Sequence, residues 1–308
     1  MKHKLIGLSL LPLLLSFASC SSSGDGKIKI LCSIYPEYEW AQKITEGINN
    51  VSLSLLVDEN IDFHSYQPSI KDISEISNAD YLIYVGGESE KWIDNVVIDN
   101  PNQVKINLFD ILGEDKKEEE DKEGMEGEEH EEKEYDEHVW NSLVNTQIFV
   151  REIAARICQR IPEESEKIMQ NASKYIVLLD NLHKEYVDEF NNSTHKTQVV
   201  ADRFPFRYLF DDYGLDYYAA FKGCSAESEA SFATIVFLSN KVDELGLSHI
   251  IKTSNSDGRV AQAVKNNTKN KDQEIVNLDS LETKSKDGNK TYLSIMKDNL
   301  DILLECTK

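Results

Sequence analysis

Two runs of alternating strand-like and helical segments, set on either side of one long amphipathic helix, constrain the fold of this chain more than any other feature. In the first run, residues 28–35 alternate and then turn continuously apolar, as a strand does when it is flanked by sheet neighbours, and Pro36 stops it. Residues 37–47 follow with helical spacing that puts Trp40, Ile44 and Ile48 on one face. Residues 51–57, 81–85 and 104–108 read as three further strands, with a short helix over 70–77. Helical spacing resumes at Trp140, with Ile148, Ile153 and Ile157 forming an apolar stripe up to Pro162. Strands alternating with helices build βαβ units and hence a mainly parallel sheet.

Pro162-Glu163-Glu164 has the composition of a helix opening, with proline in the first turn and acids that complement the dipole. From there Ile168, Ala172, Tyr175, Leu178, Leu179, Leu182 and Tyr186 recur at helical intervals as far as Phe190. That is a helix of nearly thirty residues, roughly 40 Å long. The alternation then restarts, with strands over 198–201, 217–221, 249–252 and 274–278 and helices over 206–212, 231–245, 258–266 and 292–304. The predicted class is α/β. Two βα lobes, residues 28–161 and 193–308, each hold a small mainly parallel sheet flanked by helices, and one rigid helix over 162–192 joins them.

The first twenty residues indicate the compartment. Lys2, His3 and Lys4 precede an apolar run over 5–17, and the small pair Ala18-Ser19 stands directly before Cys20. This is the order of a secretory signal, too short to span a bilayer comfortably. A cysteine in this place resembles the bacterial lipobox, in which Cys20 becomes the lipidated mature N-terminus, although Phe17 stands where that pattern usually has Leu. A plain cleaved signal is the alternative. Residues 21–27, rich in Ser and Gly, form a polar tether. Cys32, Cys158, Cys224 and Cys306 are widely separated and lack CxxC spacing, so a thiolate zinc site is not expected; a disulfide is permitted, but no pairing follows.

The formal charge of −22 excludes a nucleic-acid partner, which calls for clustered Lys and Arg, and suits a protein that handles a cation. Half of that charge lies in residues 114–137, which carry 15 acids against 4 lysines. So much like charge with so few apolar groups predicts a mobile, solvated loop.

Two histidines lie in loops just beyond a predicted strand or at a helix opening, where parallel α/β sheets collect ligands. His64 sits in Asp62-Phe63-His64-Ser65-Tyr66-Gln67-Pro68-Ser69, and His138 in Asp136-Glu137-His138-Val139-Trp140. Singly, either is as readily a surface or core histidine. Together, the first segment resembles the His-x-Tyr-x-Pro-Ser of the zinc- and manganese-binding proteins of ABC transporters, and the second is similar to that family's Asp-Pro-His-Val-Trp. Further matches are Tyr35-Pro36, Ala79-Asp80, Gly86-Gly87 with Trp92, Tyr208-Leu209 with Tyr213-Gly214-Leu215, and Tyr292 with Met296 and Asn299-Leu300. The likeness covers essentially the whole mature chain.

The resemblance implies a metal held in the cleft between the lobes, with His64 and His138 as ligands. It implies a monomeric, extracytoplasmic, membrane-anchored lipoprotein, not an enzyme, that delivers its ion to a permease and its ATPase. It also implies an acidic, often His-containing loop before the second histidine; here that loop holds only His130. The departures fall in the second lobe. Arg203 stands where the family has a third histidine, and a permanently charged guanidinium cannot ligate a cation. Asp202 beside it is the candidate third ligand, its alternatives being a helix cap or an ion-pair partner of Arg203. The family's fourth, acidic ligand should fall near 253–255, where the first acid is Asp257; Glu227 and Glu229 are further candidates. Two imidazoles and a carboxylate suit zinc, with manganese the second choice. A surface adhesin or a secreted zinc hydrolase are the rival readings, and neither HExxH nor a nucleophile elbow is present for the latter.

Overall fold

The apolar runs become the strands of two sheets. In the computed structural model, which describes residues 26–57, 61–126, 134–193, 195–225, 229–284 and 290–308, β1 (Ile28–Cys32), β2 (Val51–Leu55), β3 (Tyr81–Tyr84) and β4 (Val104–Asn107) pair in parallel in the order β2-β1-β3-β4. β3 is buried along its whole length, which is why it reads as an unbroken apolar run. Ile30 pairs with Tyr81 and Tyr81 with Val104, fixing the central register. Around the sheet lie α1 (Tyr35–Ile44), α2 (Ile70–Asn78), α3 (Leu108–Leu112) and α4 (Leu143–Arg160). α1 starts two residues earlier than its periodicity predicts. The buried Glu37 carboxylate accepts from the backbone N–H of Ser33 and Ile34 and so closes the turn from β1 into the helix.

α5 (Ser165–Asn191) is the long helix, 27 residues in all. Its buried face is Ile168, Ala172, Tyr175, Leu179, Leu182, Tyr186 and Phe190. Leu178, predicted inward, is exposed because it falls to the outer side of the stripe set by Tyr175, Leu179 and Leu182. Ile148 on α4 lies outward in the same way, next to the buried Phe149.

The second sheet repeats the first. β5 (Thr197–Arg203), β6 (Asp216–Phe221), β7 (His249–Thr253) and β8 (Glu274–Leu278) run in parallel in the order β6-β5-β7-β8. α6 (Arg207–Asp212), α7 (Phe232–Leu245), α8 (Arg259–Asn267) and α9 (Tyr292–Cys306) flank it. In each sheet the strand order reverses once, between β1 and β3 and between β5 and β7, which opens a crevice at the carboxyl ends of the strands.

One continuous hydrophobic cluster runs through both lobes. α9 returns from the second lobe to the first: the Tyr292 hydroxyl donates to the Trp140 carbonyl at 2.6 Å, and the Tyr292 backbone N–H to Glu39 Oε2 at 2.6 Å. Trp140 Nε1 donates in turn to the Ser280 carbonyl at 2.8 Å, across the interlobe boundary.

The acidic run departs from its expectation. Its described residues, 114–126 and 134–137, do not form a free loop but lie as a strap along the second lobe. Glu118 bridges Tyr135, and Glu126 pairs with Phe221 at the end of β6. Arg207 reaches Glu120 at 2.6 Å, Lys122 pairs with Asp216, and the Glu126 carboxylate accepts from Ser231 N at 2.8 Å and from the Thr234 hydroxyl at the start of α7. Composition predicted repulsion; Arg207 and the N-terminus of α7 relieve part of it from distant segments, and the run's own Lys122 ties it to Asp216. Residues 127–133, with His130, lie outside the described residues, as do the signal with Cys20 and most of the tether.

Candidate metal centre

His64 is carried beyond β2 by a single 3-10 turn, Phe63–Ser65. Asp62 opens that turn: its Oδ1 accepts from the His64 backbone N–H at 3.0 Å, and its Oδ2 meets Arg203 of the second lobe at 2.9 Å. His138 precedes a second 3-10 turn, Val139–Asn141, and is wholly buried. Asp136 Oδ1 accepts from the His138 backbone N–H at 2.9 Å and lies 3.1 Å from its Nδ1.

His64 Nδ1 lies 3.0 Å from Ser89 Oγ and 3.3 Å from Glu137 Oε2. Each imidazole therefore has a carboxylate behind its Nδ1. That arrangement keeps the proton on Nδ1 and leaves the lone pair on Nε2. The two Nε2 atoms face each other at 3.0 Å. In the metal-free protein a proton on His138 closes this contact as a hydrogen bond, and a metal ion bound by both rings would take that proton's place. Bonds of roughly 2.0–2.1 Å to one tetrahedral zinc would set its two nitrogen ligands about 3.3 Å apart, close to the spacing observed.

Two glycines let the cage close. A Cβ on Gly87 would stand 2.3 Å from Glu137 Oε1, and one on Gly223 would stand 2.8 Å from the Phe204 carbonyl and 3.1 Å from His138 Cε1. A side chain at either position would push apart the groups that orient the imidazoles.

The second lobe adds Glu282, just beyond β8. The buried Leu281 takes φ 61°, held by its N–H donating to Asp279 Oδ1 at 2.9 Å. A left-handed leucine is strained, and the turn it makes brings Glu282 Oε1 to 3.7 Å from His138 Nε2. Burial opposes a charge on His138, yet Asp136 and Glu282 outweigh it and push its pKa up to about 10. Burial likewise favours protonated Glu282, yet the His138 hydrogen bond and the positive fields of His64, His138 and Arg203 hold it down to about 2. Glu137 shows the same balance: burial works to raise it, and His64 with the Ser89 donors keeps it below the usual carboxylate range. The cage is built to hold a cation.

Sequence reasoning missed Glu282. An acid expected after a later strand was placed at the end of β7; after β8 the first acid is Asp279, which caps the turn at Leu281, and only that turn brings Glu282 to the histidines.

Asp202 is brought elsewhere. Its Oδ2 accepts from Thr253 N at 3.1 Å and from the Thr253 hydroxyl at 2.9 Å, and its Oδ1 accepts from Arg203 N at 2.9 Å. With both oxygens engaged it ties the end of β5 to the end of β7 at the switch point of the second sheet, and it does not join the histidines. Asp257 and Glu229 are exposed and pair with Arg259, at 2.5 and 3.8 Å. Glu227 lies outside the described residues. Cys224, by contrast, does approach: His64, His138 and Cys224 offer ligand atoms that all lie within 4.8 Å of one another. Wide spacing along the chain argued against a thiolate here, but spacing is silent on which loops the fold brings together. Cys32, Cys158, Cys224 and Cys306 are all free thiols.

Two α/β lobes whose strand-end loops meet around a buried cage of imidazoles and carboxylates define a two-lobed binding protein for a cation. The chain belongs to the ZnuA family: the model for zinc-uptake complex component A, periplasmic, matches residues 30–306. It is 30% identical over 290 residues to the high-affinity zinc uptake system protein ZnuA of Bacillus subtilis, covering 92% of this chain and 89% of that one. It is 29% identical over 310 residues to the zinc-binding lipoprotein AdcA of Streptococcus pneumoniae, covering 99% of this chain but only 61% of AdcA. Among solved structures, the metal-dependent lipoprotein YcdH of Bacillus subtilis superposes with a TM-score of 0.74 at 27% identity, over 91% of this chain and 99% of that one.

Proposed function

We propose that the chain captures zinc on the outer side of the cytoplasmic membrane and hands it to the permease of an ABC importer, with manganese as the less favoured cargo. The observation that carries this reading is the facing pair of Nε2 atoms, 3.0 Å apart and each backed by a carboxylate on Nδ1. The ligands are His64, His138 and Glu282, the first two from one lobe and the third from the other. Burial fits carriage better than catalysis. The side chains of His64, His138 and Glu282 are 4%, 0% and 8% exposed, whereas a hydrolytic metal keeps a position open to substrate. The relatives named as zinc-binding and zinc-uptake proteins support the choice of ion.

In this reading Cys20 is the lipid anchor, residues 21–27 are the tether, and the protein works as a monomer. No helix among the described residues is long and apolar enough to cross a membrane. Native mass spectrometry of the EDTA-stripped protein after zinc readdition is expected to show one tightly held zinc per chain, with model ester and peptide substrates left intact. A protein that takes up no zinc, or that cleaves those substrates, defeats the proposal. For the anchor, Cys20→Ser is expected to release the protein from the membrane fraction or leave it unprocessed; membrane retention with the signal removed counts against lipidation.

A further inference from the structure

Two imidazoles and one carboxylate leave a position of a closed four-coordinate zinc unfilled. Resting on the zinc-capture reading above, we propose that Cys224 supplies that fourth ligand as a thiolate and thereby biases the site toward zinc and against manganese.

The loop after β6 is built to present this thiol. Lys222 N donates to the Glu126 carbonyl at 3.4 Å, which joins the start of the loop to the acidic strap. Gly223 passes between the Phe204 carbonyl and the His138 ring, in a gap that admits no Cβ. Cys224 N donates to Glu119 Oε1 at 2.9 Å, and the Ser225 carbonyl accepts from Arg203 Nη1 at 3.2 Å. Strap, glycine and arginine together hold the Cys224 sulfur within 4.8 Å of the ligand nitrogens of His64 and His138. Around one zinc, with Zn–S of about 2.3 Å and Zn–N of about 2.0–2.1 Å, sulfur and nitrogen stand about 3.6 Å apart. Bound geometry is therefore reached by a movement on the order of 1 Å.

Arg203 gives the arrangement its logic. It stands at the end of β5 and its guanidinium cannot bind a cation. Instead it spans from Asp62, which caps the turn carrying His64, to Ser225, the neighbour of Cys224. It fixes the distance between two ligand loops in different lobes. On binding, Sγ donates a lone pair to the ion and its proton leaves to water, with nothing oxidised or reduced. A thiolate is a soft ligand that suits zinc, whereas manganese prefers oxygen.

Cobalt(II) is the probe, titrated into the stripped full chain under a non-chelating reductant. Wild type is expected to bind one cobalt with a near-ultraviolet thiolate-to-cobalt charge-transfer band. The band should vanish in Cys224→Ser and persist in Cys158→Ser. The zinc-to-manganese affinity ratio of Cys224→Ser should fall by about tenfold or more. One tightly bound cobalt without the band overturns the role of Cys224 and leaves the histidine cage standing, as does a band that survives in Cys224→Ser. Failure to bind either cobalt or zinc overturns the cage itself, and the thiolate with it.

Discussion

The two lobes share one topology and use it differently. At the carboxyl ends of the first sheet the loops deliver imidazoles, each with a carboxylate behind it. At the equivalent switch point of the second sheet, Asp202 is closed off by Thr253, and Arg203 braces the two halves rather than binding an ion. The second lobe contributes instead from its outer strands, through Glu282 after β8 and Cys224 after β6. Identical strand order, β2-β1-β3-β4 against β6-β5-β7-β8, thus sets where loops converge but not what they carry.

The sharpest test of that asymmetry is loss of the first-lobe pair. Ligand binding raises stability by RT ln(1 + [L]/Kd), about 4 kcal/mol at a thousandfold excess, so zinc should raise the melting temperature of wild type strongly. His64→Ala and His138→Ala are each expected to abolish most of that rise in differential scanning fluorimetry. If both retain the full shift, the first lobe is not where the metal is held.

Next in size is the pH dependence of the metal-free protein, which reads the charge pair that spans the lobes. An ordinary glutamate titrates near 4.5 and Glu282 only near 2, so its contribution is complete above 4.5 and is lost as pH falls toward 2. His138 is held up near 10 from an ordinary 6.5, so its contribution is complete below 6.5 and is lost as pH rises through 10. The acid limb is worth on the order of 3 kcal/mol and the alkaline limb on the order of 5, and part of each is the same His138–Glu282 attraction. Glu282→Gln should flatten the acid limb of urea midpoints against pH, and an unchanged profile would mean the carboxylate does not feel the first-lobe imidazoles.

Deleting residues 116–133 should cost on the order of 2–3 kcal/mol, because it removes the Glu126 cap on α7, the Arg207–Glu120 pair and the bridge to β6. An unaltered melting temperature would return the strap to the solvated loop its composition predicts. The smallest effect separates a tie from a ligand. Asp202→Ala should lower metal-free stability by about 2 kcal/mol through the unsatisfied Thr253 groups, while zinc affinity in isothermal calorimetry stays within about twofold. A large loss of affinity at unchanged stability would make Asp202 a ligand after all.

Strands, helices and the long connecting helix were legible along the chain because local periodicity produces them. β3 is an unbroken apolar run because it is buried throughout, and α5 repeats its core face every three or four residues. The two histidine segments were legible for a related reason: each is a short, contiguous arrangement in which a neighbouring residue, Asp62 or Asp136, positions the ring's own backbone. Asp202 misled because its type fits a ligand and its partner, Thr253, lies fifty-one residues away. Composition misled at the acidic strap, whose partners Arg207, Asp216 and Ser231 belong to another lobe.

By itself, then, the sequence determined the secondary structure and the α/β class, which follow from forces acting over a few neighbouring residues, and it marked the two imidazoles as candidates. Only the tertiary structure decided which second-lobe groups meet those imidazoles. Glu282 and Cys224 lie 144 and 86 positions beyond His138, and no local pattern encodes their arrival. They come within reach because two separately formed sheets pack through one shared core, and the charges that meet there, not burial, which opposes both shifts, hold a carboxylate near pKa 2 and an imidazole near 10.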